Sequence, residues 1–230
     1  MTARPVQTSL IEGMERPVGP IPLSVQTGTN ADLMWAIRDL YLGGSVLDVT
    51  YGEGKWWDRF KPDPFTAHDL YKLDGIDFRA LPEPDSSVDC VCFDPPYVNS
   101  GGESSAALGV HFQGAYGIGL DNINRNGRGS RRVTIEELMI DGLRECVRVS
   151  RRWVLVKCME YAQGGSGSNF ADFHDPPHLL TVEALRLGCR KHDQIVHNTG
   201  TGPGGHNIYE AKRARRAHSY LLVFKVPEQA

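Results

Sequence analysis

The 230-residue chain lacks any long apolar segment, and its net charge is only −3. No stretch approaches the roughly 18 consecutive apolar residues that cross a bilayer, and the N-terminus does not have the charged-then-apolar layout of a secretory signal. We therefore expect a cytoplasmic protein without a membrane partner. The charge balance also excludes a protein that holds nucleic acid by bulk positive charge alone, so any basic surface must be local.

The chain also lacks paired cysteines. Its five cysteines include no CxxC pair, and four of them lie within or beside apolar runs. This pattern indicates reduced thiols in a protein core, with neither a disulfide framework nor a metal site. The residues concerned are Cys90, Cys92, Cys146, Cys158 and Cys189.

The proline-rich beginning of the chain predicts an extended arm at residues 1–24. After it, apolar runs of strand length alternate with apolar runs of helix length. Helices are predicted at Ala31–Leu42 with Thr29 or Asn30 as N-cap, at Ile135–Arg151 with Thr134 as N-cap, and around Thr181–Leu187, and another could open at Lys55–Phe60. Strands are predicted at Ser45–Thr50, Phe65–Leu70, Val88–Phe93, Trp153–Val156, Asp193–His197 and Ser219–Val226. This alternation predicts an α/β fold with a mostly parallel sheet. Residues 98–130 are rich in Gly, Ser and Asn and predict a long loop.

A turn with two glycines, Asp48-Val-Thr-Tyr-Gly-Glu-Gly54, follows the first predicted strand. Ligands of open α/β sheets bind at this edge, glycine lets the main chain approach them, and Asp48 could accept a hydrogen bond from an ammonium group. A phosphate loop is disfavoured because Val49 and Trp56 replace its first glycine and its hydroxyl residue. A dinucleotide fingerprint is disfavoured because Trp57 replaces its third glycine. A smaller adenosine-containing ligand and a purely structural turn both remain.

Two further acids follow the glycine turn. Asp69 lies about 20 residues after Asp48, where an acid reaches a ribose hydroxyl in this architecture. The pair Asp77-Phe78 lies further on and could meet the edge of an adenine. Each acid, taken alone, is also compatible with a solvated loop carboxylate.

The sharpest signal is Asp94-Pro95-Pro96-Tyr97, directly after a predicted buried strand. The two prolines end the strand and hold the backbone so that the carbonyl beside Asp94 cannot join a ladder. A carboxylate and a rigid carbonyl are two acceptors, which suits an exocyclic amino group with two N–H donors. Tyr97 offers a stacking face for the ring that bears this amine.

Together, the segments Asp48–Gly54 and Asp94–Tyr97 resemble the motifs of S-adenosylmethionine-dependent amino-methyltransferases that act on DNA, above all the N6-adenine group. Arg215–Lys225 resembles the last sheet hairpin of those enzymes, and Leu187–Val196 resembles the strand region before it. The likeness covers roughly residues 29–226. It implies a Rossmann-like class I methyltransferase fold, with a mostly parallel seven-stranded sheet whose last strand is antiparallel. It also implies an N-terminal arm at residues 1–28 and one catalytic domain at residues 29–230, with a mobile loop at 98–133.

The resemblance assigns roles to the candidate residues. The glycine turn with Asp48 would hold the methionine part of the cofactor, Asp69 its ribose, and Asp77 with Phe78 its adenine. The cofactor-binding residues are thus Asp48, Thr50, Tyr51, Gly52, Gly54, Asp69, Asp77, Phe78 and Asp94. The catalytic residues are Asp94, Pro95, Pro96 and Tyr97, and no metal is required.

The expected reaction depends on the turn at Asp94. The N6 lone pair of adenine is shared with the ring, and hydrogen bonds from N6–H to Asp94 and to the Pro95 carbonyl would draw the nitrogen toward tetrahedral geometry. An adenine inside a duplex cannot reach this turn, so the resemblance implies base flipping, with Tyr97 stacking on the extruded base.

Local basic runs flank the predicted site and are candidate DNA contacts, although such runs are also common on solvated surfaces. They comprise Arg125, Arg128, Arg131 and Arg132 after the Asp94 turn, and Lys212, Arg213, Arg215 and Arg216 before the last strand. No separate recognition domain follows, so a second copy, or a recognition or nuclease partner, stays open. The family resemblance implies a bacterial or phage enzyme of the restriction-modification, solitary or phage type.

Three alternatives remain. The Asp-Pro-Pro-Tyr turn also resembles that of ribosomal-RNA guanine-N2 methyltransferases. Cytosine-N4 transfer is another option, although that group more often has Ser in place of Asp94, and the closing run His218–Lys225 favours DNA. The chain could also be an inactive member that serves as a recognition or regulatory subunit.

A second Asp-Pro-Pro segment, Asp175-Pro176-Pro177, does not follow a buried strand. We interpret it as a loop before a helix. The neighbouring His174 and His178 have no further metal ligand at suitable spacing.

Overall fold

The computed structural model describes residues 21–96, 134–164, 171–200 and 217–228. The strands are β1 (Val25–Thr27), β2 (Val46–Asp48), β3 (Phe65–Ala67), β4 (Val88–Phe93), β5 (Ser150–Cys158), β6 (Tyr161–Gly164), β7 (Ala171–His174), β8 (Arg190–Asn198) and β9 (Ser219–Lys225). The helices are α1 (Asn30–Tyr41), α2 (Ile135–Val149) and α3 (Pro176–Arg186). In these ranges, no helix has the length and apolar character needed to cross a membrane.

Seven strands form one sheet in the order β1-β8-β9-β5-β4-β2-β3. β9 is antiparallel to its neighbours β5 and β8, and the other neighbouring strands are parallel. The predicted α/β fold is therefore confirmed, including the antiparallel last strand. The parallel order brings the carboxyl ends of β2, β4, β5 and β8 to one edge of the sheet.

Helices cover both faces of the sheet. α1 packs on one face, where Leu33, Met34 and Ile37 meet apolar residues of β2, β4, β5, β8 and β9. α2 and α3 pack on the other face, where Leu138 and Leu180 belong to the same buried cluster as the alternate strand residues. Because the central strands are buried on both faces, they appear in the sequence as continuous apolar runs.

Capping boxes begin the two longest helices where the sequence predicts them. In each, a threonine side chain accepts from the amide three residues later, and an acidic side chain at that position accepts from the threonine amide. The pairs are Thr29 with Asp32 for α1 and Thr134 with Glu137 for α2. Such caps satisfy amides that the first helical turn leaves free.

Two predicted helix boundaries are wrong. Lys55–Phe60 does not open an α-helix but forms a 3-10 turn at Lys55–Trp57, and the prolines at 62 and 64 follow closely. α3 begins at Pro176 instead of Thr181, because the carboxylate of Asp175 accepts from the His178 amide at 3.0 Å and serves as its N-cap. Prolines fit the first turn of a helix, where their missing N–H is not needed.

Two strand features were not predicted. β1 pairs with β8 at the edge of the sheet, although its residues fall in the expected arm at 1–28. β6 and β7 form a separate antiparallel pair after β5. Neither segment shows a sustained apolar alternation, which was the signal used to predict strands.

The cysteines lie in the core, as predicted. All five are free and buried. Burial raises the pKa of the thiols of Cys92, Cys146, Cys158 and Cys189.

Candidate active site

The glycine turn and the Asp-Pro-Pro turn meet at the carboxyl edge of the sheet. β2 and β4 are neighbours, and Asp48 pairs with Cys92 in their register. Asp94 follows two residues later, and its amide donates to Thr50 Oγ1 at 2.7 Å. This hydrogen bond joins the two motifs, which lie about 40 residues apart in the sequence.

Asp48 is a buried acid at the end of β2, only 3% exposed. Its Oδ2 accepts from Trp57 Nε1 at 2.7 Å, and its Oδ1 accepts from the Thr50 amide at 3.0 Å. Burial raises the pKa of Asp48 to about 7; these two hydrogen bonds oppose the rise, and the charges of Asp94 and Asp69 add to it. Trp57, which replaces the third glycine of a dinucleotide fingerprint, therefore binds the acid of the turn.

The glycine turn needs both glycines for its backbone shape. Gly52 and Gly54 have φ values of +55° and +70°, which other residues adopt at a cost. A Cβ on Gly54 would lie 2.5 Å from the hydroxyl oxygen of Tyr51. The Tyr51 amide donates to the His68 carbonyl at 3.1 Å, which ties the turn to the end of β3.

Asp69 is the second residue after β3, and its carboxylate stabilises the glycine turn. Its Oδ2 accepts from the Gly52 amide at 2.7 Å, while its Oδ1 accepts from the amides of Tyr71 and Lys72 at 2.9 and 2.7 Å. The acid predicted to meet a ribose thus lies beside the turn.

His68 was missed by the sequence analysis. It is buried, with Nδ1 2.6 Å from Asp74 Oδ2 and Nε2 2.7 Å from Glu83 Oε1. Burial lowers the pKa of His68, but the hydrogen bonds to Glu83 and Asp74 outweigh it, so the pKa is raised. The imidazole connects the end of β3 to two later segments of the chain. A histidine directly before Asp69 was the only sequence signal.

Asp77 and Phe78 separate in the structure. The carboxylate of Asp77 pairs with Arg79, whose Nη2 lies 2.6 Å from Oδ2. The Phe78 ring is 1% exposed and packs edge-on against Phe93, with 5.0 Å between ring centroids. A Cβ on Gly142 of α2 would lie within 2.7 Å of both rings, so this glycine lets α2 approach them. The structure places Asp77 near the surface and the Phe78 ring in the core.

Asp94 has a carboxyl oxygen without a partner. Its Oδ1 is buried and forms no hydrogen bond with any described residue. Burial raises the pKa of Asp94, and the charge of Lys157 and a hydrogen bond from Trp56 oppose the rise. Pro95 beside it is buried, and Pro96 is half-buried. Tyr97 and the candidate DNA contacts at residues 125–132 and 212–216 lie outside the described residues.

Lys157 is a second residue that the sequence analysis missed. It lies near the carboxyl end of β5, is only 5% exposed, and donates to Asn30 Oδ1 at the start of α1 at 2.5 Å. A lysine in the otherwise apolar end of the strand, Trp153-Val-Leu-Val-Lys157, was the available signal. Its neighbour His197, at the end of β8, donates from Nε2 to the Gly28 carbonyl oxygen at 3.0 Å.

The second Asp-Pro-Pro segment forms the start of α3. Asp175 caps α3, and His174 beside it stacks on Tyr161 with 4.6 Å between ring centroids. The Nδ1 of His174 also lies 2.6 Å from Glu136 Oε1. Within the described ranges, no group of three or more His, Cys, Asp or Glu side chains could hold a metal ion.

No protein-family model matches the chain, and no curated protein matches its sequence. Similar solved structures include a candidate DNA modification methylase from Thermus thermophilus complexed with S-adenosyl-L-methionine, 14% identical, with 66% of this chain and 52% of that chain covered and a TM-score of 0.41. A methyltransferase from Methanosarcina mazei is 8% identical, with coverages of 84% and 98% and a TM-score of 0.44. One from Aquifex aeolicus is 11% identical, with coverages of 80% and 83% and a TM-score of 0.35. The match to the Thermus protein spans about half of that protein's length. The mixed seven-stranded sheet with helices on both faces is a Rossmann-like α/β arrangement.

Proposed function

We propose that this chain transfers the methyl group of S-adenosylmethionine to the N6 amino group of adenine in DNA. The observation that carries the proposal is the Asp94 carboxyl at the end of β4. Its buried Oδ1 has no partner among the described residues and lies beside the glycine turn. A buried acceptor without a donor is costly, and an exocyclic amine would supply the missing N–H.

The residues around the glycine turn fit this cofactor. When bound, it supplies an electrophilic methyl group on a sulfonium centre. Asp48 would hold the ammonium group, because a nearby cation favours the ionised form of an acid whose pKa burial has raised. Asp69 would reach the ribose and Asp77 the adenine edge, while Gly52 and Gly54 let the backbone approach the ligand.

Asp94 would orient the amine and later take its proton. Hydrogen bonds from N6–H to Asp94 and to the Pro95 carbonyl would align the nitrogen lone pair for transfer. The amine becomes acidic only as its new bond forms. The raised pKa of Asp94 makes the carboxylate a better acceptor for the released proton.

The DNA part of the proposal depends on residues beyond the described ranges. Tyr97 would stack on the flipped base, and the arginine and lysine runs at 125–132 and 212–216 would contact phosphates. The proposal includes a cytoplasmic location, an arm at residues 1–28 and a single catalytic domain at 29–230. A second copy or a separate subunit would supply sequence recognition.

The test uses the purified chain with radiolabelled S-adenosylmethionine and either mixed-sequence DNA or ribosomal RNA, followed by digestion and identification of the labelled nucleoside. Labelled N6-methyladenine in DNA is expected. N4-methylcytosine or N2-methylguanine would replace the substrate and keep the cofactor. Cofactor binding without transfer to either polymer would favour an inactive subunit.

A matched pair of variants tests the assigned residue. Asp94→Ala should retain cofactor binding and lose methyl transfer. Asp175→Ala removes the acid of the other Asp-Pro-Pro segment, costs about 1 kcal/mol through the lost N-cap, and should keep transfer. Full activity of Asp94→Ala would refute the site assignment.

A further inference from the structure

Lys157 lies beside the proposed site and has no role in it so far. β4 and β5 are parallel neighbours in which Phe93 pairs with Val156, so Asp94 and Lys157 follow at the same level. The Lys157 side chain lies on the face that carries α1, because its Nζ donates to Asn30 Oδ1. The Asp94 carboxyl lies on the same face, because it accepts from Trp56 of the buried cluster beneath α1. Asp48, which binds Trp57, lies on that face one strand further along.

Among the described residues, the Lys157 ammonium has no carboxylate in direct contact, although its charge acts on the nearby Asp94. An ammonium has three N–H donors, and Asn30 accepts from one of them with a neutral amide oxygen. No carboxylate of the described ranges lies within 4.0 Å of Nζ, and the nearby Asp94 Oδ1 has no partner either. Because a buried ammonium is stabilised by an anion in direct contact, an anionic ligand group would bind favourably at this position.

The row of charges indicates which anion fits. Along the sheet edge, the order β2-β4-β5 gives Asp48, Asp94 and Lys157, an acid at one end and a base at the other. An α-amino acid presents an ammonium and a carboxylate on one carbon. Lys157 is buried beneath the start of α1, whereas contacts to DNA phosphates come from side chains that reach the surface.

We propose that Lys157 binds the carboxylate of the amino-acid end of the cofactor, with the ammonium group directed toward Asp48. This inference rests on the proposed function, since it assumes S-adenosylmethionine as the ligand. Lys157 would then set the direction in which the amino-acid end lies along the edge. It is a cofactor-binding residue and does not contact the target base.

A cycle of two ligands and two proteins tests the proposal. Calorimetry measures the binding of S-adenosylmethionine and of decarboxylated S-adenosylmethionine to the wild type and to Lys157→Met. The variant should bind S-adenosylmethionine about 10- to 100-fold more weakly, as expected for a lost charge-assisted hydrogen bond. Its affinity for the decarboxylated ligand should stay within about twofold of the wild-type value.

Controls separate this role from a structural one. Lys191→Met removes an exposed lysine of β8 and should change neither affinity. Without ligand, Lys157→Met should melt no lower than the wild type, because the variant no longer buries an ammonium that has no carboxylate in direct contact. Lys157→Arg keeps the charge and should retain part of the preference for the carboxylate.

Each result has a distinct meaning. Equal weakening of both ligands by Lys157→Met would overturn the inference and leave the proposed cofactor intact. If the wild type bound neither ligand, the proposed function itself would fail.

Discussion

Replacing Asp48 with asparagine should change how the stability of the unliganded protein depends on pH. Burial raises the pKa of Asp48 from 3.8 in water to about 7 in the folded chain. The folded state therefore prefers the protonated acid. The stability that this preference contributes is fully present below about pH 4 and is lost as pH rises through 7.

The size of the effect follows from this shift. A rise of about three pKa units corresponds to roughly 4 kcal/mol in total, and about 2 to 3 kcal/mol of it falls between pH 5 and pH 8. Asparagine is neutral at every pH, so the stability contributed at this position does not fall as the pH rises. Its amide cannot accept from both Trp57 Nε1 and the Thr50 amide, which adds a constant cost of about 1 to 3 kcal/mol. Between pH 5 and pH 8, the stability difference should therefore shift by about 2 to 3 kcal/mol in favour of Asp48→Asn.

Urea denaturation of both proteins at pH 5, 6, 7 and 8 measures this shift. The control is Asp89→Asn, because hydrogen bonds from Ser45 and the charge of Arg151 hold the pKa of Asp89 low despite burial, so its effect should be constant over that range. A stability difference for Asp48→Asn that does not change from pH 5 to pH 8 would refute the assignment of a buried acid with a raised pKa at the end of β2.

Three further substitutions test the site. Thr50→Val removes the acceptor of the 2.7 Å hydrogen bond between the two turns. It should slow methyl transfer about 5- to 150-fold, the equivalent of about 1 to 3 kcal/mol. Thr50→Ser is the control, and equal transfer rates for both variants would contradict the role of the hydroxyl. Gly54→Ala and Gly75→Ala share the cost of a positive φ, but only the first places a Cβ 2.5 Å from the Tyr51 hydroxyl, so only the first should weaken cofactor binding in a calorimetric titration. Tyr97→Ala should slow methyl transfer to duplex DNA, because it removes the roughly 1 to 3 kcal/mol that base stacking contributes. Cofactor affinity should stay unchanged. A wild-type transfer rate would exclude stacking of Tyr97 on the flipped base.

Much of the fold could be predicted because most of its strands and helices have a recognisable pattern in the local sequence. The apolar runs of β2 and β4, the capping boxes of α1 and α2 and the apolar run of β9 each express burial or capping within a few residues. The proximity of the Asp48 turn to the Asp94 turn could also be anticipated. The carboxyl ends of parallel strands lie at one edge of a sheet, whatever the length of the chain between them.

The features that were missed depend on distant neighbours. β1 is a strand because β8 offers it a partner, and β6 is a strand because β7 does. Asp77-Phe78 looks like one motif, yet the space left by Gly142 directs the Phe78 ring into the core. His68 is distinctive only because the chain folds Asp74 and Glu83 onto its two ring nitrogens.

At the carboxyl edge of the sheet, too, some features follow from the local sequence and others only from the tertiary structure. Residue type and spacing were sufficient to place an acid, two glycines and an Asp-Pro-Pro turn at the ends of two neighbouring strands, since backbone geometry fixes where strand ends lie. Tertiary structure alone decided that Asp94 Oδ1 is buried without a described partner, that burial raises the pKa of Asp48, and that Lys157 lies near Asp94. The physical reason is that burial, electrostatic fields and hydrogen-bond partners are set by the packing of α1 and of several strands together, which no local pattern encodes.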